Sequence, residues 1–184
     1  MDHAAIVFGA VALITAGTAP AGDDVARDFM PATIVLAATG GHFNKWQKDL
    51  PCTSGVFNTD LQISDPDYNS TWETASQIVL RSKSGAAVFQ VRTVQHASPM
   101  AANLVIRDGG QGEILHRDFQ TTFNFEKSNH VAVSWNASGM IKVSINDGDT
   151  HDVSLDQPLV SLELVGSGGK AVFSSASVNC TNAQ

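Results

Sequence analysis

The 184-residue sequence predicts an all-β domain, a two-sheet antiparallel β-sandwich, and three observations predict it. Short segments rich in Val, Ile, Phe and Thr recur about every 10 residues, the spacing of sandwiches and barrels. The breaks between them carry turn chemistry. Asp108-Gly109-Gly110, Asn136-Ala137-Ser138-Gly139, Asn146-Asp147-Gly148 and Gly166-Ser167-Gly168-Gly169 all supply residues that tolerate positive φ. After residue 50 no segment shows an apolar stripe of 3.6-residue period.

The chain opens on 4-AAIVFGAVALITAGTAPA-21, which is apolar, small and uncharged, with Asp23 and Asp24 just beyond. Ala19-Pro20-Ala21 fits a small-x-small cleavage site, so residues 1–21 read as a signal peptide. The competing reading is an uncleaved anchor, because Met1-Asp2-His3 carries little positive charge. The run Ala4 to Ala16 is short of the about 20 residues a bilayer span needs. The mature chain is therefore expected to have no membrane span and to be extracellular, or periplasmic in a bacterium. Residues 22–41 read either as a leader remnant or as a first strand, since Pro31 and Gly40-Gly41 limit the run 29-FMPATIVLAATGG-41 as a helix. The sandwich domain is set at 42–184, and His42 to Asp49 has room for one helical turn.

Strands are then expected at Phe57–Ile63, Ser76–Ser82, Ala87–Val94, Asn103–Arg107, Glu113–Phe119 and Thr122–Phe125, where β-branched and aromatic side chains suit a pleated, half-buried surface. A meander follows at His130–Trp135, Ile141–Asn146 and His151–Leu155. Val131, Val133 and Trp135 point one way and His130, Ala132 and Ser134 the other; Ile141, Val143 and Ile145 alternate with Lys142 and Ser144. Each strand has an oily and a wet face, and the oily faces must cover a second sheet. Ser161–Val165 and Ala171–Val178 complete the set.

Cys52 and Cys180 are the two cysteines. In a secreted chain an even count predicts a bridge, here tying the start of the domain to its end; the alternative is two buried thiols. The formal net charge of -7, with only 11 scattered Lys and Arg, excludes nucleic acid as a partner, because neutralising phosphates needs clustered cations.

The meander, a strand ending in Trp135, an Asn/Gly turn, Ile141-x-Val143-x-Ile145 and then Asn146-Asp147-Gly148, resembles the back sheet of laminin-G-like and concanavalin-like jelly rolls. Residues 103–145, through Ile106, Gly109, Gly110, Ile114, Arg117, Trp135, Gly139, Ile141 and Val143, also resemble the farnesoic acid O-methyltransferase-like domain. The resemblance implies a β-sandwich interaction domain of jelly-roll type; no glycine-rich cofactor loop for a methyl donor stands in the sequence.

Among residues that could carry function, Trp72 stands beside Tyr68, Asn69 and Asp67 in a polar loop. A Trp or Tyr ring offers a flat apolar face to the C–H side of a sugar, so Trp72, Tyr68 and Asn69 are the ligand-binding candidates. The competing role for Trp72 is a loop anchor. Asp65, Asp67 and Asn69 space oxygen ligands as calcium loops do, so Ca²⁺ is the one cofactor suggested, against a plain Asp/Pro turn. Asn69 and Asn136 head glycosylation sequons. His116 and Asp118 share a strand face, yet no nucleophile motif accompanies them. Glycosidase chemistry needs two carboxylates about 5–10 Å apart, whereas Glu113, Glu126 and Glu163 stand singly in the sequence.

The sequence therefore supports a secreted module that recognises a glycan, a glycoconjugate or an extracellular protein. The alternatives are a glycan hydrolase or lyase on the same scaffold, and a coat or appendage subunit. A lectin-like groove lined by aromatic and polar groups would separate the first from the last, which calls for an apolar edge or patch.

Overall fold

The computed structural model describes residues 29–67, 71–94, 97–109 and 112–181. The expected signal peptide, Tyr68 and Asn69 lie outside the described residues. Ten antiparallel strands account for the fold of the described residues: β1 Ile34–Asp49, β2 Gly55–Ser64, β3 Ala75–Arg81, β4 Gly85–Val94, β5 Ala97–Asp108, β6 Glu113–Asp118, β7 Ser128–Trp135, β8 Met140–Ile145, β9 Asp149–Ser154 and β10 Ser161–Cys180. No helix occurs among the described residues.

The hydrogen-bonded order is β6-β5-β4-β3-β10-β2-β7-β8-β9, with β1 also paired to β10. The two long strands pass from one layer to the other. The first half of β10 lies between β3 and residues 43–49 of β1; its second half lies between β2 and residues 34–38 of β1. Each layer thus holds four whole strands and half of each long one. Gly40-Gly41 supplies the bend in β1, where the register shifts between Ala38 and Phe43. Facing it, β10 bends at Gly166 to Gly169. A Cβ on Gly166 would lie 2.6 Å from the Leu36 carbonyl oxygen, so only glycine lets these backbones meet.

The alternation read from the sequence fills the interior. Phe57, Leu61, Val131, Val133, Ile141, Val143, Phe173 and Val178 of one layer join Ile78, Leu80, Phe89, Val91, Leu104, Leu162 and Leu164 of the other in one buried cluster. Each such side chain contributes about 1.5–3 kcal/mol by leaving water. The expected disulfide joins Cys52 to Cys180 with their Cα atoms 5.9 Å apart. The Trp135 Nε1–H donates to the Cys52 carbonyl at 3.3 Å.

Three details differ from the sequence reading. His42 to Asp49 is strand, not a helical turn: residues 43–49 pair continuously with β10, and that pairing decides the local state. Gly166 to Gly169 is a bend inside one strand, not a turn between two, because β1 hydrogen-bonds across it. Thr122 to Phe125 forms a single bridge, with Met100 and Phe123 exchanging both backbone hydrogen bonds, before Glu126 at φ 62 turns the chain. β1 itself begins at Ile34 and runs through position 42 without a break.

Candidate functional site

Strands that border solvent on one side bury alternate residues. β3, β4 and β5 bury both sides over much of their length. Ile78, Leu80, Phe89 and Leu104 point into the sandwich. Their neighbours Val79, Val88 and Val105, which point away from it, are also nearly inaccessible at 2%, 3% and 0%. All ten strands belong to the two layers, so no described element covers this outer side. A sheet that shields its own outward valines is curled about them, and this face is the concave one.

The register maps the face. Val105, Val88 and Val79 sit side by side across β5, β4 and β3, continued by Glu163 on β10 and Gln47 on β1. His116 of β6 closes the row at the other edge. The next row toward the bend holds Asp118, Asn103, Gln90, Gln77, Val165 and Lys45. Val79, Ala86 and Val88, with Val165 against them, form a small apolar cluster separate from the interior. Polar side chains border this floor. Gln77 Nε2 donates to Gln90 Oε1 at 3.4 Å, and Arg81 Nη2 lies 3.0 Å from Glu163 Oε2. Glu163 is buried and already engaged by Arg81, which makes it an anchor for the guanidinium.

Two exposed aromatic side chains stand at the bend end of the face. Phe43 pairs with Ser167 and is 68% exposed. Trp72 is 49% exposed, with its indole against Gly41, where a Cβ would meet Nε1 at 3.1 Å. Phe43 escapes the sequence reading because a helical reading of 42–49 hides its face. The period-two series Phe43, Lys45, Gln47 is the signal that would have exposed it.

Asp67 belongs to the same region in a structural role: its Oδ2 accepts the Gly40 N–H at 3.0 Å and its own N–H donates to the Gly168 carbonyl at 2.8 Å. It fastens the bend of β1 to that of β10. Asp65, at φ 49, accepts from the Ser64 hydroxyl at 3.3 Å. Both aspartates border a shallow depression with Ala37, Ala38 and Lys170. Among the described residues no three His, Cys, Asp or Glu side chains gather in one cluster. Asn136 is exposed at the β7–β8 turn, where its Oδ1 accepts from Ser138 N, Ser138 Oγ and Met140 N.

At the far edge, His116 and Asp118 do share a face. Nε2 lies 2.7 Å from Asp118 Oδ1 and Nδ1 lies 2.9 Å from Glu113 Oε1. Asp118 first, then Glu113, raises the imidazole above its usual pKa by favouring the cation. A raised folded value means the pairs are fully present below the unfolded imidazole value, about 6.5, and fade as pH rises through the folded value. A titration followed by NMR is expected to place the His116 midpoint above that of a free imidazole. Asp118→Asn should bring it down; no change in that variant would remove the pairing as the cause.

The fold has counterparts among solved structures. The galectin LEC-6 of Caenorhabditis elegans aligns at a TM-score of 0.55 and 16% identity over 82% of this chain and 96% of that one. A carbohydrate-binding module, CBM66, of Bacillus subtilis aligns at 0.52 and 14% identity over 80% and 94%. The transglycosylase Crh5 aligns at 0.61 and 13% identity over 95% and 82%. The fold is a concanavalin-like jelly roll. At these identities the likeness concerns the jelly roll alone. No protein-family model matches the chain, and no curated protein does. The likeness to the farnesoic acid O-methyltransferase-like domain thus stays at the motifs quoted above.

Proposed function

We propose that this protein is a secreted recognition or adhesion module that binds carbohydrate on the concave face of its first layer. The observation that carries the reading is the face itself. The buried Val79, Val88 and Val105 make its rigid floor, the accessible amides of Gln77 and Gln47 border it, and exposed Phe43 and Trp72 stand at its end. The exposed aromatic rings receive the C–H side of a sugar, and the accessible amides serve its hydroxyls. A jelly-roll neighbour named as a carbohydrate-binding module supports the reading. The Cys52–Cys180 disulfide supports an oxidising compartment, as does the leader-like sequence of residues 1–21.

The test is a glycan-array screen of the oxidised protein with and without a calcium chelator. Phe43→Ala and Trp72→Ala, both exposed and so tolerated by the fold, are each expected to weaken binding about fivefold, the loss of about 1 kcal/mol of ring contact. Gln77→Ala is expected to weaken it further. Loss on chelation, repeated by Asp67→Asn, would add a calcium ion held by Asp65 and Asp67 to the site. An array on which no glycan binds, or binding that survives all three substitutions, would overturn the assignment to this face.

A further inference from the structure

The chain carries 18 Asp and Glu against 11 Lys and Arg, yet at one end of the concave face this balance reverses. A depression of about 280 Å³ is floored by Val79, Ala86 and Val88 and walled by Arg81, Lys83 and Arg107. Asp108 is the one carboxylate among the described residues that line it, and its Oδ1 is already occupied by the Gly112 N–H at 2.7 Å. Ala86 is the register partner of Arg81 on one side and of Arg107 on the other. The two arginines therefore stand two strand spacings apart, about 9–10 Å, with a methyl group between them. That small residue leaves an opening between two guanidinium groups. Arg81 spends Nε and Nη2 on Glu163, leaving Nη1. Arg107 and Lys83 have no polar side-chain partner among the described residues.

Two cations without an ion-pair partner among the described residues, outnumbering the one carboxylate of the wall, make an attractive field for an anion beside an apolar floor, because the low-dielectric wall strengthens the interaction. A guanidinium offers parallel N–H donors that fit a carboxylate or a sulfate, which a neutral hydroxyl cannot use in that way. We propose that this end of the face holds the carboxylate or sulfate group of an acidic glycan, with Arg107 and Lys83 as its ligands. The proposal rests on the glycan reading above and narrows it to a polyanionic substrate class.

The experiment is titration calorimetry of the full oxidised chain with polygalacturonate, dextran sulfate and the neutral glycans of the array, at low and high salt. Acidic polymers are expected to bind at least tenfold more tightly than neutral ones at low salt, with the preference shrinking as salt rises. The better of the two acidic polymers identifies the anion as carboxylate or sulfate. Arg107→Gln and Lys83→Gln should each weaken acidic binding about tenfold. Lys142→Gln, on β8 in the other layer, should leave it unchanged. Neutral glycans that bind as tightly as acidic ones, or acidic binding indifferent to Arg107→Gln and Lys83→Gln, would overturn the acidic preference and leave the glycan reading standing. An equal loss in Lys142→Gln would reduce the effect to general charge and also overturn it. Binding of no glycan of any charge would remove both.

Discussion

A chain carrying Cys52→Ser and Cys180→Ser is expected to be about 4 kcal/mol less stable than the parent, measured by urea unfolding at neutral pH. The two cysteines are 128 residues apart, so the bridge closes nearly the whole described domain into one loop. Chain entropy puts a closure of that length at about 4–5 kcal/mol, most of it exerted on the unfolded ensemble. In the folded state the bridge ties the segment leading into β2 to the last residue of β10, strands that already pair from Gly55↔Cys180 onward. Little native geometry should therefore change, and the loss should appear as a lower midpoint. The structured double-serine protein should still bind ligand below its new midpoint, since β10 contributes Glu163 and Val165 to the concave face from its first half and Cys180 ends its second half in the other layer. A loss under about 1 kcal/mol would mean that the unfolded chain is already held together by other means.

Phe89→Ala should cost about 3–5 kcal/mol, the range for emptying a large buried aromatic site. Phe89 is 1% exposed and sits mid-strand in β4. Its ring meets Phe119 edge-on, with centroids 5.5 Å apart, and Phe123 at 6.4 Å. Those partners belong to the connection between β6 and β7, the passage from one layer to the other, and Phe119 in turn lies edge-on to His151 of β9 at 4.7 Å. Truncation therefore opens a cavity and unseats the crossover together. Calorimetric unfolding of the variant should show a lower midpoint with a single transition. A cost under 1.5 kcal/mol would show that the crossover collapses into the vacancy.

How much of this could be read from residues alone divides along a physical line. Strands whose faces alternate, such as Val131-x-Val133-x-Trp135, announced both their state and the side they bury, because a two-residue period has one structural meaning. The bridge between Cys52 and Cys180 was legible from their count and placement. The bends were not. Gly166-Ser167-Gly168-Gly169 carries the composition of a turn, and only the approach of Leu36 from β1 makes it a strand interior. The concave face was hidden for a related reason. Val79, Val88 and Val105 look in sequence like further interior residues, and what assigns them to the outer side is cross-strand register, a property of the pairing. Trp72 could be seen as a candidate from its polar setting, whereas Phe43 needed the strand assignment of 42–49 first. Arg81 and Arg107, 26 positions apart, meet around Ala86 through two separate pairings that no local pattern encodes.

The sharing of β10 between both layers also sets an order of events during synthesis. Nine strands precede it, and its 20 residues pair with β1, β2 and β3, which would otherwise present open edges. A nascent chain can form the β7–β8–β9 meander early, because those contacts are close in sequence, but neither layer can close until β10 emerges. The chain therefore stays an open pair of half-built layers until β10 is made, and Cys180 arrives with the same strand, so the covalent closure and the closure of both layers come together.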